Sequence, residues 1–345
     1  MAKILIIRFS ALGDVAMTIP VIYSLAMSYP MHEITVLSRQ SFQQLFLNLP
    51  PNVRFAVADL NGKHNGLKGL NLLYDELKED SYDYIADFHS VLRSNYLRWR
   101  FKMDRVRTAS IDKGRQEKKK LTRKKNKHVV PLKSGFVRYY EVFEKLGFKF
   151  NLNFNSIFAK ETPNLSLILP KTGEKNGLKW IGIAPFAKHE GKIYPEELQL
   201  KVIEHFAYDK RVKVFVFGGG YAEKKIINHW VEKYPGITSM VSKLNIGEEL
   251  ILMSQLDVMY TMDSGNMHLA SLVNTPVVSV WGATHPYAGF MGWNQSPENA
   301  VQVDLSCRPC SIYGQKSCYR GDYACLNQIN PEKIIEHINK ILFNF

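Results

Sequence analysis

Asp263-Ser264-Gly265-Asn266-Met267-His268 is the stretch whose reading decides the fold. Before it, Leu256–Met262 (LDVMYTM) reads as a buried strand, and after it Leu269–Val273 (LASLV) continues a helical pattern. Pro276 breaks the chain, and Val277–Trp281 (VVSVW) reads as another strand leading into Gly282-Ala283-Thr284-His285-Pro286. Ser264 and Gly265 therefore fall where a strand hands over to a helix. A helix start offers unpaired N–H groups and a partial positive charge, which suits an anionic ligand. Ser264 adds a hydroxyl donor, and Gly265 lets backbone approach closely. The competing reading is a capped helix, with Asp263 as N-cap and His268 in the core. The density of small polar residues between two apolar strands favours a phosphate or diphosphate site without a Walker lysine.

Outward from this segment, Trp180–Ala184, Val212–Phe217 and Ile237–Val241 read as strands, and Glu196–Ala207, Glu223–Lys233 and Glu248–Gln255 as helices. In the N-terminal half, Lys3–Ile7, Glu33–Leu37, Val53–Ala58 and Tyr82–Asp87 read as strands. Val15–Ser28, Ser41–Leu47, Leu70–Glu79 and Val91–Lys102 read as helices. Such alternation predicts an α/β fold of parallel, doubly wound sheets. A second sheet begins near residue 178, after a stretch over 157–177 rich in Pro, Lys, Asn and Gly that reads as a linker. The expected organisation is an N-terminal domain over 1–165, a C-terminal domain over 178–328, and a closing helical segment over 329–345. Two such domains facing each other would place ligands in a cleft at the carboxyl ends of both sheets.

The chain has 345 residues, and its 46% hydrophobic and 22% charged residues are ordinary for a globular protein. No apolar run approaches the roughly 18 residues of a membrane span. The N-terminus runs straight into a strand pattern without a signal peptide's layout, so a cytoplasmic location is expected. The net charge of +13 stands out and implies an anionic partner. Much of it is local: Lys113–His128 holds nine Lys or Arg and one acid, Glu117. Such a run is either a solvated loop or a contact with an anionic surface. No aromatic lies within it, which argues against stacking on single-stranded nucleic acid.

Four further groupings could carry chemistry. Arg8-Phe9-Ser10-Ala11-Leu12-Gly13-Asp14 follows the first strand and lies at a sheet's carboxyl edge. There Asp14 is either a helix-capping acid or a reacting group. No G-x-G-x-x-G is present, so dinucleotide binding has little support. Ala184–Pro195 carries Lys188, His189 and Lys192 after a strand, and its lysines could neutralise a diphosphate leaving group. Phe217-Gly218-Gly219-Gly220 lets a ligand lie against backbone, and Glu223 beyond it could accept from ribose hydroxyls or simply begin a helix. Cys307, Cys310, Cys318 and Cys325 fall within 19 residues. They are either reduced packing cysteines or a closed structural zinc site, with irregular spacing for the latter. No Asp-x-Asp occurs in the chain, so lysines and a helix N-terminus must meet leaving-group charge.

Together these pieces resemble glycosyltransferase family nine, the heptosyltransferases of the lipopolysaccharide inner core, over nearly the whole chain. Ile4–Pro20 is similar to its N-terminal signature. Asp263–His268, followed by Pro276 and Trp281-Gly282-Ala283-Thr284-His285-Pro286, is similar to its C-terminal one. The cysteine-rich tail with Ile329-Asn330-Pro331-Glu332 is also similar. The resemblance implies a GT-B fold, two Rossmann-like domains facing across a cleft, with acceptor on the N-terminal side and nucleotide sugar on the C-terminal side. It implies an inverting, metal-independent transfer of heptose from ADP-heptose, with no cofactor needed for catalysis. Asp14 matches the general base. Lys192 matches the phosphate-binding lysine, with Lys188 in the same loop. Asp263, Ser264, Gly265, Asn266 and His268 match the diphosphate segment, and Glu223 a ribose-contacting acid. Arg8, Ser10 and Gly13 fall on the acceptor side, where Arg8 binds acceptor phosphate or holds Asp14 ionised.

The implied partners are a nucleotide-sugar donor, a phosphorylated lipid A or core-oligosaccharide acceptor, and an anionic membrane surface met by the basic run at 113–127. The enzyme would be cytoplasmic, peripheral at the inner face of the inner membrane, and would bind no nucleic acid. One departure is that Pro185 and Phe186 stand where some members carry hydroxyl residues near the phosphates. The rival readings are a transferase of the same family using another nucleotide sugar, a GT-B nucleotide-sugar epimerase, an inactive relative, and a basic protein that binds anionic surfaces without catalysis.

Overall fold

Ile4–Ile7 have almost no solvent exposure, as expected for a strand flanked on both sides. In a computed structural model, which describes residues 1–159 and 161–343, this strand is the centre of a five-stranded parallel sheet. Lys160, Asn344 and Phe345 lie outside the described residues, so the expected linker over 157–177 and the closing segment over 329–345 are each described in part. The first sheet contains β1 (Lys3–Ile7), β2 (Glu33–Ser38), β3 (Val53–Val57), β4 (Tyr84–Asp87) and β5 (Arg107–Ser110), in the order β3-β2-β1-β4-β5. Its helices are α1 (Leu12–Ala16), α2 (Ile19–Ser28), α3 (Gly66–Lys78), α4 (Leu92–Met103) and, beyond α5 (Arg115–Leu121), α6 (Gly135–Leu146).

The helix expected over 15–28 is divided. α1 is short, and α2 restarts at Ile19 with Pro20 in its first turn, where a missing N–H costs nothing. β5 (RTAS) and α6 escape the sequence reading. β5 is too short and polar to stand out, whereas α6 buries Phe136, Tyr139, Val142, Phe143 and Leu146 at helical spacing. Ser134 caps α6 by accepting from the Val137 amide at 3.2 Å.

The second sheet contains β6 (Lys179–Ala184), β7 (Val212–Val216), β8 (Ile237–Ser239), β9 (Val258–Met262), β10 (Val277–Val280) and β11 (Ala300–Val301). Their order is β11-β10-β9-β6-β7-β8, all parallel. Its helices are α7 (Leu169–Thr172), α8 (Glu196–Ala207), α9 (Gly220–Lys233), α10 (Ile246–Gln255), α11 (Gly265–Leu272), α12 (Ala324–Asn327) and α13 (Pro331–Phe343). α10 starts two residues before the sequence expectation. Asn245 accepts from the Glu248 amide at 3.0 Å and Glu248 returns the bond at 2.9 Å, a capping box. Ile334, Ile335, Ile338 and Leu342 of α13 join the core formed by β6, β7, β9 and β10.

The chain divides into two units. One holds residues 1–114 and 133–157, the other 115–132 and 158–345. The basic segment 115–132 thus groups with the C-terminal unit, and the division after it falls at 157, short of the expected 165. The reason is local packing. Leu121 is fully buried, Lys118 lies over the rings of Phe290 and Tyr313 at 4.7 and 5.7 Å, and Lys124 lies over Tyr319 at 4.8 Å. Among the described residues no helix is long and apolar enough to cross a membrane.

Gly182, within β6, leaves room for its neighbours. A Cβ there would lie 2.4 Å from Leu256 Cδ1 and 2.5 Å from Met259 Sδ. Gly182→Ala is therefore expected to lower stability by about 1–3 kcal/mol through overpacking. The check is a lower urea midpoint at unchanged denaturant slope, and an unchanged midpoint would refute the packing argument.

Candidate active site

β6 and β9 are hydrogen-bonded neighbours although β7 and β8 separate them in sequence, with Ile181 opposite Val258 and Ala184 opposite Thr261. Strand order reverses there, so the loops leaving the two strands diverge and open a crevice at their carboxyl ends. The loop after β6 carries Lys192, and the loop after β9 carries Asp263. Lys192 Nζ stands 2.9 Å from Asp263 Oδ2, and Asp263 is only 3% exposed. A cation so enclosed needs a partner, and the pair holds both charges in place at some desolvation cost. Gly314 lies against the lysine stem, since a Cβ there would come within 2.6 Å of Lys192 Cγ.

Ser264, not Asp263, is the N-cap of α11, with an extended backbone (φ −141°, ψ −179°) and no side-chain cap bond. Its hydroxyl instead pairs with the Thr261 hydroxyl at 3.2 Å. The Ser264 side chain thus does not cap the first-turn amides of α11, and the partial positive charge of the helix start lies on the same side as Lys192. His268 is buried in the first turns of the same helix. Glu223, in the first turn of α9 after the neighbouring β7, accepts from the Gly219 amide at 2.7 Å. Lys188 is exposed and lies outside the Lys192–Asp263 pair.

In the N-terminal unit the reversal lies between β1 and β4. After β1 come Arg8 and Ser10 in a loop and Gly13 and Asp14 in the first turn of α1, and the loop after β4 carries Phe88 and His89. Buried Arg8 joins the two loops. Its Nη1 donates to the Phe88 carbonyl at 2.8 Å, and its Nη2 pairs with Asp14 Oδ2 at 2.6 Å. Asp14 Oδ2 also accepts from the Ala11 amide at 3.3 Å, closing the first turn of α1, while the Tyr139 hydroxyl donates to the Asp14 carbonyl at 3.2 Å. The Asp14 carboxylate thus serves at the start of α1, where the Ala11 amide and the Arg8 guanidinium fix its position. Ser10, in the loop, and Gly13, in α1, are partly buried.

His89 and Tyr139 were not among the expected site residues. His89 Nδ1 accepts from the Phe9 amide at 3.3 Å. Burial, reinforced by the charges of Arg8 and Lys113, depresses its pKa to about 3. The only sequence signal for it was its place just past the end of a strand.

The profile of Glycosyltransferase family 9 (heptosyltransferase) matches residues 72–318. The chain belongs to this family. It is 28% identical over 172 residues to lipooligosaccharide heptosyltransferase 2 of Campylobacter jejuni, which covers 48% of this chain. In that comparison the chain spans about half the length of the relative, 52%. The two-sheet architecture is of the GT-B class. The solved glycosyl transferase family 9 structure from Veillonella parvula superposes with a TM-score of 0.76 at 20% identity, covering 100% of this chain and 98% of that one. The E. coli heptosyltransferase WaaC with ADP superposes with a TM-score of 0.67 at 15% identity, covering 98% and 99%.

Among the described residues no group of three or more His, Cys, Asp or Glu side chains is placed to hold a metal ion. Cys325 packs into the C-terminal core, where burial pushes its thiol up to about 11. Burial likewise raises Cys310. Cys318 lies in a more open turn, where the amides of Tyr323, Arg320, Gly321 and Asp322 outweigh burial and hold the thiol below its ordinary value. Cys307, Cys310 and Cys318 all lie close enough to act electrostatically on the Cys325 thiol. Cations also stitch this segment. Arg308 donates to the carbonyls of Gly282, Trp281 and Thr284 at 2.6, 2.9 and 3.0 Å. Lys127 donates to those of Cys307 and Pro309 at 2.6 and 3.0 Å.

His89 yields a pH prediction. An ordinary histidine of the unfolded chain takes up a proton near pH 6.5, whereas folded His89 does so only near pH 3. The unfolded state therefore binds more protons across that window, and stability falls as pH drops through it. His89→Gln removes this contribution, so its urea midpoint is expected to change less than the wild type's between about pH 7 and pH 4. Equal changes in the two proteins would contradict a buried neutral imidazole.

Proposed function

We propose that this chain is an inverting, metal-independent glycosyltransferase that moves heptose from ADP-heptose onto a lipopolysaccharide inner-core acceptor. The observation that carries the reading is the Lys192–Asp263 pair beside the α11 N-terminus at the β6/β9 reversal, a preorganised cradle for a diphosphate. Family membership and the heptosyltransferase named in Campylobacter jejuni support the sugar, and a fold neighbour solved with ADP supports the base. No catalytic cofactor is assigned. With no Asp-x-Asp in the chain, Lys192, the Ser264 hydroxyl and the amides at Gly265 and Asn266 meet the charge of the diphosphate. Glu223 keeps one oxygen on the Gly219 amide and offers the other to ribose hydroxyls. Asn266 and His268 shape the same helix start, and exposed Lys188 adds positive field.

In this reading the N-terminal unit takes the acceptor. Asp14 accepts the proton of the attacking hydroxyl, held for that task by Arg8. The acceptor oxygen bonds to the anomeric carbon as the bond from that carbon to the diphosphate oxygen breaks, the electron pair leaving with ADP. Displacement from the opposite face inverts the anomeric centre. Ser10 and Gly13 line the acceptor side. The acceptor is phosphorylated lipid A or its core oligosaccharide, met at the inner face of the inner membrane. The exposed cations of the basic run, among them Arg115, Lys119, Lys120, Arg123 and Lys125, meet its anionic surroundings.

Calorimetric titration tests the donor half. ADP is expected to bind in the presence of EDTA, and Lys192→Ala to weaken it by roughly 10- to 100-fold, the value of a charge-assisted bond. Absence of ADP binding would remove the donor assignment. Asp14→Asn is expected to lower kcat by on the order of 10²–10⁴ with ADP affinity unchanged, and full activity in that variant would remove the base.

A further inference from the structure

α4 (Leu92–Met103, LRSNYLRWRFKM) is amphipathic in an unusual way. One face, with Ser94, Leu97 and Phe101, is buried against the sheet. With 3.6 residues per turn, the opposite face brings Leu92, Tyr96, Trp99 and Met103 into a single stripe. Leu92 is 89% exposed, Trp99 54% and Met103 64%. The Tyr96 and Trp99 rings lie 6.0 Å apart within the stripe. α3 runs alongside, and its Asn71 accepts from both the Tyr96 hydroxyl and Arg100. One turn before Asn71, Leu67 is 63% exposed, as Leu92 is one turn before Tyr96.

Cations rim this stripe. Arg93 and Arg100 fall along one edge and Lys102 along the other, while Arg105 follows the helix end, and Arg100 faces Asp75 of α3 at 4.0 Å. The twelve residues of α4 include no acid. The first acid after it, Asp104, is held by Lys78 at 3.2 Å and by the Tyr74 hydroxyl. Isolated exposed apolar side chains are common, but an aligned set rimmed by polar residues, here mainly cations, marks an interaction surface. The occupant that fits is an anionic bilayer surface. Tryptophan and tyrosine favour the headgroup level, leucine and methionine reach the acyl boundary, and arginine and lysine meet anionic headgroups. At twelve residues α4 is too short to span, so it lies in the plane of the interface.

We propose that α4 is an in-plane membrane anchor that inserts Leu92, Trp99 and Met103 into the surface of an anionic bilayer. This goes beyond the transferase reading and does not depend on it. It also differs from attachment by the basic run, where Lys118 and Lys124 lie over aromatic rings and Lys127 is bonded to carbonyls. The run itself carries no aromatic. α4 begins at the carboxyl edge of the same sheet whose β1 leads into Asp14, so a bilayer gripped there would lie toward the edge that takes an acceptor.

The test is flotation of the full chain with vesicles of phosphatidylglycerol and phosphatidylcholine, against phosphatidylcholine alone. Wild type is expected to float with the anionic vesicles only. The double variant Leu92→Ser/Trp99→Ser is expected to lose at least about tenfold in vesicle affinity, because both side chains point to solvent and their removal takes away the inserted apolar surface. An unchanged thermal midpoint and unchanged ADP titration in the variant show that its fold and donor site remain intact. Full binding by that variant overturns the proposal. So does loss of binding only when Lys119, Lys120 and Arg123 are replaced by glutamine, or a wild type that floats with neither kind of vesicle.

Discussion

The pairing of β9 with β6 is the constraint on which the C-terminal unit of this protein depends. Both strands are almost wholly buried and apolar, so they gain most by lying side by side in the interior of a sheet. Pairing them in parallel brings two loops seventy residues apart in sequence to one crevice, and with them Lys192 and Asp263. Neither charge would be tolerated there alone. Together they hold a cation beside the start of α11, so its charge is fixed in place by the fold itself.

The N-terminal unit repeats this arrangement with different chemistry. β1 and β4 stand at its reversal, and a single guanidinium, Arg8, bonds across both loops that leave them. Arg8 is buried, so its charge is strongly felt by its neighbours. It pairs with Asp14 on one side and, together with burial, keeps His89 neutral on the other. The position of the Asp14 carboxylate therefore follows from a helix start, a buried cation and the hydroxyl of Tyr139 on a distant helix.

Much of this was readable before any coordinates. β-branched runs and helix-breaking prolines marked the strands and their exits, because a strand covered on both faces must be continuously apolar. A small polar segment between two such strands has few structural uses, which made Asp263–His268 stand out. The sequence said less where partners are remote. The basic run reads as a solvated loop or an anionic-surface contact, and neither reading foresees that three of its lysines have partners in aromatic rings and carbonyls of the C-terminal unit. His89 was passed over because nothing local distinguishes a histidine after one strand from any other. Its importance comes from β4 lying next to β1.

By itself the sequence determined the class of fold, the alternation of strands and helices, and the helix start that suits an anion. These depend on hydrophobic period and on local capping, which act over a few residues. The tertiary structure alone decided which loops share a crevice, which acid each cation faces, where the basic run packs, and that α4 turns an apolar stripe outward. Those outcomes depend on strand order and on burial, and both are set by contacts between residues that the chain keeps far apart.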